Sequence, residues 1–266
     1  MAGTLDTKVA VVTGAATGLG LGMVERFARE GYARVFGLDI SPAPDRASDG
    51  VRHLQVDVSD STAVAVCIEN ILDESGGIDV LVCNAAVMQA RADVLDISDD
   101  TLRRVMATNF DGVFYCCQSV GRHMKAKRSG RIITVSSQVA EVPWPGMGVY
   151  AASKAAVIAL TRSLALELAP FGIFANCIMP GTMDTKQMRQ SFEGLGLALG
   201  VDPGELIAAK RGSMPLGRMG TEQDAANLAV WLASSEASFS VGGVFDLTGG
   251  ELWSRSISGE APKSHD

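Results

Sequence analysis

The chain has 266 residues, 47% hydrophobic and 20% charged, which excludes a disordered polymer and fits one large α/β domain or two small ones. Its net charge of −7, from 23 basic and 30 acidic residues, argues against a nucleic-acid-binding surface, so no nucleic-acid partner is expected. Twenty-nine glycines, about 11% against an average near 7%, demand tight turns and close backbone approaches.

The N-terminal segment reaches Gly14 before any long apolar run, so no signal peptide is expected, and no run approaches the ~18 apolar residues of a membrane span. The five cysteines (Cys67, Cys83, Cys116, Cys117, Cys177) are odd in number and irregular in spacing. The histidines His53, His123 and His265 stand at no metal-ligand spacing. The expectation is a cytoplasmic protein with free thiols, no metal and no membrane partner.

In chain order, the first strand is Val9–Thr13. It runs into Thr13-Gly14-Ala15-Ala16-Thr17-Gly18-Leu19-Gly20, which opens a helix over Leu19–Glu30. Glycine lets the backbone bend there and approach a pyrophosphate, and the N–H groups of the helix start supply the binding dipole. The next strand, Val35–Leu38, ends at Asp39, nineteen residues beyond Gly20. A carboxylate at that spacing accepts hydrogen bonds from an adenosine ribose and repels a 2′-phosphate. The nearest basic residue after it is Arg46, so NAD rather than NADP is the expected cofactor. A strand over His53–Val56 leads to Asp57 and Val58, placed to approach the adenine.

A helix over Ser61–Glu74 and a strand over Val80–Cys83 precede a long helix, Asp99–Lys127, started by Ser98 and two acids. The basic run Arg122–Arg131 reads as its solvated C-terminal end. The strand Ile132–Ser136 runs into Ser137, and a loop leads on to a helix over Ala151–Ala169, which Pro170 and Gly172 stop. Tyr150 and Lys154, four apart, share one face at the start of that helix. An unperturbed tyrosine has a pKa near 10; lowering it by roughly three units takes about 4 kcal/mol, within reach of a close ammonium. Hydroxyl, phenol and ammonium can then surround one carbonyl oxygen. The same helix is apolar on nearly every face, which calls for burial by another subunit, so a homo-oligomer, dimer or tetramer, is expected.

A strand over Phe174–Met179, an irregular stretch Thr182–Ser213, a helix over Glu222–Ala233 and a strand over Val244–Leu247 complete the order. Near-continuously apolar strands alternating with helices predict an α/β fold. The expectation is a single doubly wound, Rossmann-type parallel sheet of about seven strands with helices on both faces. It would form one domain over 1–251, with a substrate lid at about 182–214 and a polar tail at 252–266.

Taken together, these motifs resemble the short-chain dehydrogenase/reductase family over roughly residues 5–250. The resemblance rests on TGAATGLG, Cys83-Asn84-Ala85-Ala86-Val87, Asn109 in the long helix, and Ser137 thirteen residues before Tyr150-x-x-x-Lys154. Pro180-Gly181 with Thr185, and PLGRMGTEQDAANLAVWLAS followed by DLTGG, extend it. It implies Tyr150 as general acid/base, Lys154 lowering the Tyr150 pKa and binding the nicotinamide ribose, and Ser137, by its spacing, holding the substrate oxygen. Asn109 would hold a water that relays protons from Lys154. The cofactor would meet Gly14, Thr17, Gly18, Leu19, Gly20, Asp39, Asp57, Val58, Asn84 and Ala85, and its amide would meet Pro180, Gly181 and Thr185. Two positions depart from the family pattern: Ala86 in place of the usual glycine, and Met179 before Pro180, which is expected to narrow the site.

Loops at the C-terminal edge of such a sheet carry specificity. Here they offer Met88, Gln138, Val142, Trp144, Met147, Met183, Met188, Phe192 and Leu195, a predominantly apolar set with few charges beyond Glu141, Asp184 and Lys186, suited to a secondary alcohol or ketone with a hydrophobic body. A polyol stays open as the substrate. Gly194 and Gly196 suggest a lid that closes and excludes water. The alternatives are an NADPH-dependent carbonyl reductase, against which Asp39 argues, and a non-catalytic dinucleotide-binding regulator, against which the intact Asn109, Ser137, Tyr150 and Lys154 argue.

Overall fold

The computed structural model of the chain describes residues 7–44 and 49–257. All seven expected strands form, and they build one parallel sheet in the order β3-β2-β1-β4-β5-β6-β7. The strands are β1 (Val9–Thr13), β2 (Arg34–Asp39), β3 (Val51–Gln55), β4 (Val80–Cys83), β5 (Gly130–Val135), β6 (Ile173–Pro180) and β7 (Val244–Leu247). The central strand β1 is buried at every position, as its run of β-branched residues requires. The edge strands β3 and β7 are only half-buried, which is why β3 tolerates Arg52 and Gln55.

Successive side chains of a strand point to opposite faces, and the core divides accordingly. Val9 and Val11 pack with helix α2 (Ser61–Ser75), helix α4 (Gly112–Lys127) and helix α5 (Gly148–Leu168). Ala10 and Val12 pack with helix α1 (Gly18–Arg29) and helix α8 (Glu222–Ala233). Each large side chain sealed there, such as Phe27 or Met23, contributes roughly 2–3 kcal/mol. The chain winds outward from β1 to β3 on one side and from β4 to β7 on the other. That reversal opens a crevice beyond the C-terminal ends of β1 and β4.

Several elements differ from the sequence expectation. The run Asp99–Lys127 is not one helix: α3 (Asp99–Met106) passes through a π-helical turn, Ala107–Asp111, before α4 begins. The stretch 182–213, expected to be irregular, contains α6 (Lys186–Leu199) and α7 (Pro203–Gly212). Thr185 caps the first through the Met188 N–H, and Asp202 caps the second with Pro203 behind it. Helix α5 starts at Gly148, which places Tyr150 inside the first turn. The first residues assigned to the tail instead form α9 (Glu251–Ile257), and 258–266 lie outside the described residues.

Among the described residues, one helical segment, Gly148–Phe171, is long and apolar enough to cross a membrane by length and composition. Its composition has another cause: α5 lies on β6 and β5, and Val157, Ala165 and Leu168 join the core on that side of the sheet. All five cysteines are buried free thiols, and among the described residues no cluster of ligating side chains suits a metal.

Candidate active site

The glycine turn is built around positions that reject a side chain. Gly14 has φ +67°, and a Cβ there would lie 2.7 Å from Ala85 Cα. A Cβ on Gly20 would lie 2.0 Å from the Gly14 carbonyl oxygen, so the first turn of α1 can close on the loop only with glycine. Asn84 locks this geometry from β4: its Nδ2 donates to the carbonyls of Thr13 and Gly14 at 3.0 and 3.1 Å. Thr17 occupies the N-cap of α1 but makes no side-chain cap. The first-turn N–H groups are thus left for an anion, which is the donor set of a pyrophosphate seat.

Asp39 stands at the end of β2 in the wall of the same cavity. Its Oδ2 accepts from the Ala16 N–H and its Oδ1 from the Ser41 N–H, both at 2.9 Å. The carboxylate is thereby fixed against the glycine turn with lone pairs to spare for ribose hydroxyls. Arg46, the nearest basic residue after it in sequence, lies outside the described residues.

Beyond β5 and at the start of α5 the chemistry-bearing side chains converge. The Ser136 hydroxyl donates to the Lys154 carbonyl at 2.8 Å, so it is spent on α5. The Ser137 hydroxyl instead stays in the cavity wall with the Tyr150 phenol, whose pKa it pulls down in part. Lys154 is 2% exposed and donates to the Val135 carbonyl at 2.9 Å. Burial lowers its pKa to about 8, with the neighbouring Cys177 and Cys83 thiols pulling the other way. Tyr150 moves opposite to expectation: burial pushes its pKa up to about 12, only partly countered by Ser137. The reason is geometric. The ammonium lies 5.8 Å from the centre of the Tyr150 ring and is engaged at the end of β5.

Asn109, fully buried in the π turn, braces this cluster from behind. Its Nδ2 donates to the Val87 carbonyl and to Ser153 Oγ, and its Oδ1 accepts from the Val87 N–H at 2.8 Å. Ser153 in turn donates to the Tyr150 carbonyl at 2.7 Å. Both side-chain donors are therefore used in holding the 84–88 loop to α5, and Asn109 does not border the cavity. A π turn inside a helix is a common device for presenting such a residue.

One cavity of about 370 Å³ joins these parts. It is bordered by Gly14, Thr17, Gly18, Leu19 and Asp39 at one end and by Ser137, Tyr150 and Lys154 at the other. Asn84, Ala85, Pro180, Gly181 and Thr185 lie between, and Met88, Gln138, Trp144, Met147, Met183 and Met188 complete the wall. Gly20, Asp57 and Val58 do not border it. Asp57 turns its carboxylate to Ser59, and Val58 is packed where a Gly112 side chain would stand. Ala86 borders the cavity without strain, for Arg128 is the one described non-glycine residue with positive φ. Met179 does not narrow the site; it is buried in β6 away from the cavity. Val142 also lies off the wall, as do Phe192 and Leu195, because α6 presents only its first turn to the cavity.

The sequence reading missed two positions. Gln89, 5% exposed, accepts the otherwise orphaned Tyr150 N–H at 2.8 Å and donates to the Gly146 carbonyl at 2.9 Å, pinning the first turn of α5. Glu251, assigned to the end of the domain, is 2% exposed and joins Thr182, after β6, to Lys210 of α7. An apolar cluster with period 3.6 has a local signature; these contacts do not.

Comparison with known proteins adds the following. A family model described as enoyl-(acyl carrier protein) reductase matches residues 14–251. Galactitol 2-dehydrogenase of Agrobacterium fabrum is 34% identical over 255 residues, covering 94% of this chain and 99% of that protein. A 3-oxoacyl-[acyl-carrier-protein] reductase of Chlamydia pneumoniae is 35% identical over 254 residues, covering 93% and 98%. Among solved structures, NAD⁺-bound xylitol dehydrogenase superposes with a TM-score of 0.84 at 30% identity, covering 92% of this chain and 99% of that one.

Proposed function

The chain belongs to the short-chain dehydrogenase/reductase family, and we propose that it interconverts a secondary alcohol and its ketone with NAD as the preferred cofactor and Tyr150 as general acid/base. It is an NAD(P)-dependent oxidoreductase acting on alcohols, a reading that the galactitol dehydrogenase among its relatives supports. The observation that carries the finer reading is a single cavity with an anion seat and Asp39 at one end and Ser137, Tyr150 and buried Lys154 at the other.

When bound, the nicotinamide supplies the carbon that accepts or returns hydride. The seat would hold its pyrophosphate at the start of α1, Asp39 its adenosine ribose, and Lys154 its nicotinamide ribose. Tyr150 holds the proton exchanged with the substrate oxygen. Ser137, in the cavity wall with that phenol, limits the charge that develops on the oxygen. Met88, Met147, Met183 and Trp144 keep water away from the reacting atoms. The galactitol and xylitol dehydrogenases among the similar proteins favour a hydroxylated substrate within this class.

Asp39→Ala is expected to lower kcat/KM with NAD about 10–100-fold, the worth of one or two hydrogen bonds to a charged group, and to raise it with NADP. Absorbance assays of wild type and variant with both cofactors check this. Wild-type activity confined to NADP(H) would overturn the NAD assignment.

The outward stripe of α5 supports a homo-oligomer. Ala152, Ala155, Ala159 and Leu166 are exposed in the single chain, Leu166 by 78%. Small residues at that spacing let a second copy approach closely. Sedimentation should show dimers or tetramers; monomer alone at micromolar concentration refutes this.

A further inference from the structure

Helix α7 has no buried residue, so apolar packing alone does not fix its place. Its last turn instead carries two cations that reach acids at the turn after β6: Arg211 pairs with Asp184, and Lys210 with Glu251. The Glu251 carboxylate is itself seated on Thr182, whose N–H donates to it at 2.9 Å and whose hydroxyl lies at 3.2 Å. A Cβ on Gly181 would stand 3.0 Å from Glu251 Oε2, so the charge offered to Lys210 has a fixed position. The Lys210 ammonium has a second neighbour. It lies 5.3 Å from the centre of the Trp144 ring, within the range at which a cation is drawn to an aromatic ring. The Lys210 side chain is 16% exposed, so both attractions act largely out of water.

Trp144 borders the cavity together with Met147 and Met183, whereas no residue of α7 does. Pro143 and Pro145 on either side restrict the Trp144 backbone, and its carbonyl accepts from the Met147 N–H at 3.1 Å. These features set the loop but not the indole, which turns about its own side-chain bonds. Tyr150 is held separately, through its N–H by Gln89. A shift of the indole therefore changes the wall of the substrate site without moving the group that exchanges the proton.

Resting on the alcohol-oxidising reading above, we propose that Lys210 is a positioning residue for the substrate. Its ammonium, fixed by Glu251, holds the Trp144 indole as the wall against which the carbon body of the alcohol packs. The enzyme thereby draws part of its substrate affinity from α7, a helix outside the cavity.

The test compares wild type, Lys210→Met, Lys210→Arg, Trp144→Leu and the double variant of Lys210→Met with Trp144→Leu, using NAD and either xylitol or cyclohexanol. Lys210→Met should raise KM for the alcohol about tenfold and leave kcat and KM for NAD within about threefold of wild type. Lys210→Arg keeps a cation for both partners and should hold KM within about threefold of wild type. The double variant should be no worse than Trp144→Leu, since both changes act on one wall. An unchanged KM in Lys210→Met, a loss confined to kcat, additive losses, or Lys210→Arg as poor as Lys210→Met overturns the proposal. Lys210→Gln keeps a donor for Glu251 and removes the cation beside the ring, and it decides the matter on the same KM if Lys210→Met fails to fold. Acrylamide quenching gives a readout free of turnover. The fluorescence of Trp144, taken as the difference from the matching Trp144→Leu protein, should be quenched at least about twofold more strongly in Lys210→Met. Equal quenching overturns the hold on Trp144. A wild-type protein that oxidises neither alcohol counts against the proposed function, while the quenching result still decides the positioning role.

Discussion

Replacing Tyr150 with phenylalanine is expected to lower turnover at least about 10³-fold in both directions and to leave NADH affinity within about threefold. The phenol stands in the cavity wall with Ser137 and is the group assigned to exchange the proton. The ring, by contrast, is retained, so packing around the first turn of α5 survives, and the Gln89 contact uses only the Tyr150 backbone. Folding should be unaffected within about 1 kcal/mol, because the hydrogen bonds that Tyr150 makes to Gln89 and Ser153 use its backbone and are retained. Steady-state kinetics beside NADH fluorescence titration separate the two effects. Turnover within tenfold of wild type would refute the assignment. The wild-type pH profile carries a second signature. With the Tyr150 pKa raised to about 12, the neutral phenol prevails through pH 6–9, so ketone reduction should stay level there. Alcohol oxidation needs the phenolate and should climb with pH, by up to about tenfold per unit.

The parts of this site that the sequence made legible are those written in local spacing. A strand, a glycine turn and a helix in succession, with a carboxylate at the end of the next strand, lie within a few dozen residues and have one physical solution. Tyr150 and Lys154 were readable because helical periodicity alone brings residues four apart to one face. The π turn at Ala107–Asp111 was not readable. One extra residue in a helical turn leaves no compositional trace, yet it places Asn109 behind Ser153. Helix α6 was hidden by Gly194 and Gly196, which cost a helix roughly 1 kcal/mol each, although Thr185 already marked its cap. Glu251 was hidden by distance: Lys210 is 41 residues away and Thr182 69. Such contacts depend on the whole sheet being in register. The direction of the Tyr150 shift failed for a related reason. Proximity to Lys154 follows from spacing, whereas burial of both groups follows only from the packed structure.

That shared burial makes Lys154 a place where function is held against stability. Lys154→Met is expected to lower turnover about 10²–10³-fold and at the same time to raise the unfolding temperature at pH 7. In the folded chain the lysine pKa falls from 10.5 to about 8, a shift of roughly 2.5 units, so keeping it charged at neutral pH costs about 3 kcal/mol. Methionine has a similar length and carries no charge to desolvate, though it forfeits the hydrogen bond to Val135, worth about 1 kcal/mol. A net gain of about 1–2 kcal/mol in a chain of this size raises the midpoint by a few degrees. The pH dependence fixes the sign. Between pH 8 and 10.5 the unfolded lysine binds more proton than the folded one, so wild-type stability from this group rises with pH across that window. Below pH 8 both states are protonated and the deficit is constant. The variant's advantage should therefore be full at pH 7, shrink above pH 8 and be gone near 10.5. Thermal unfolding of both proteins at pH 7 and pH 10 measures it. A variant less stable than wild type at pH 7 would mean that the ammonium is compensated in the fold, and that nothing in the site is held there at a cost to stability.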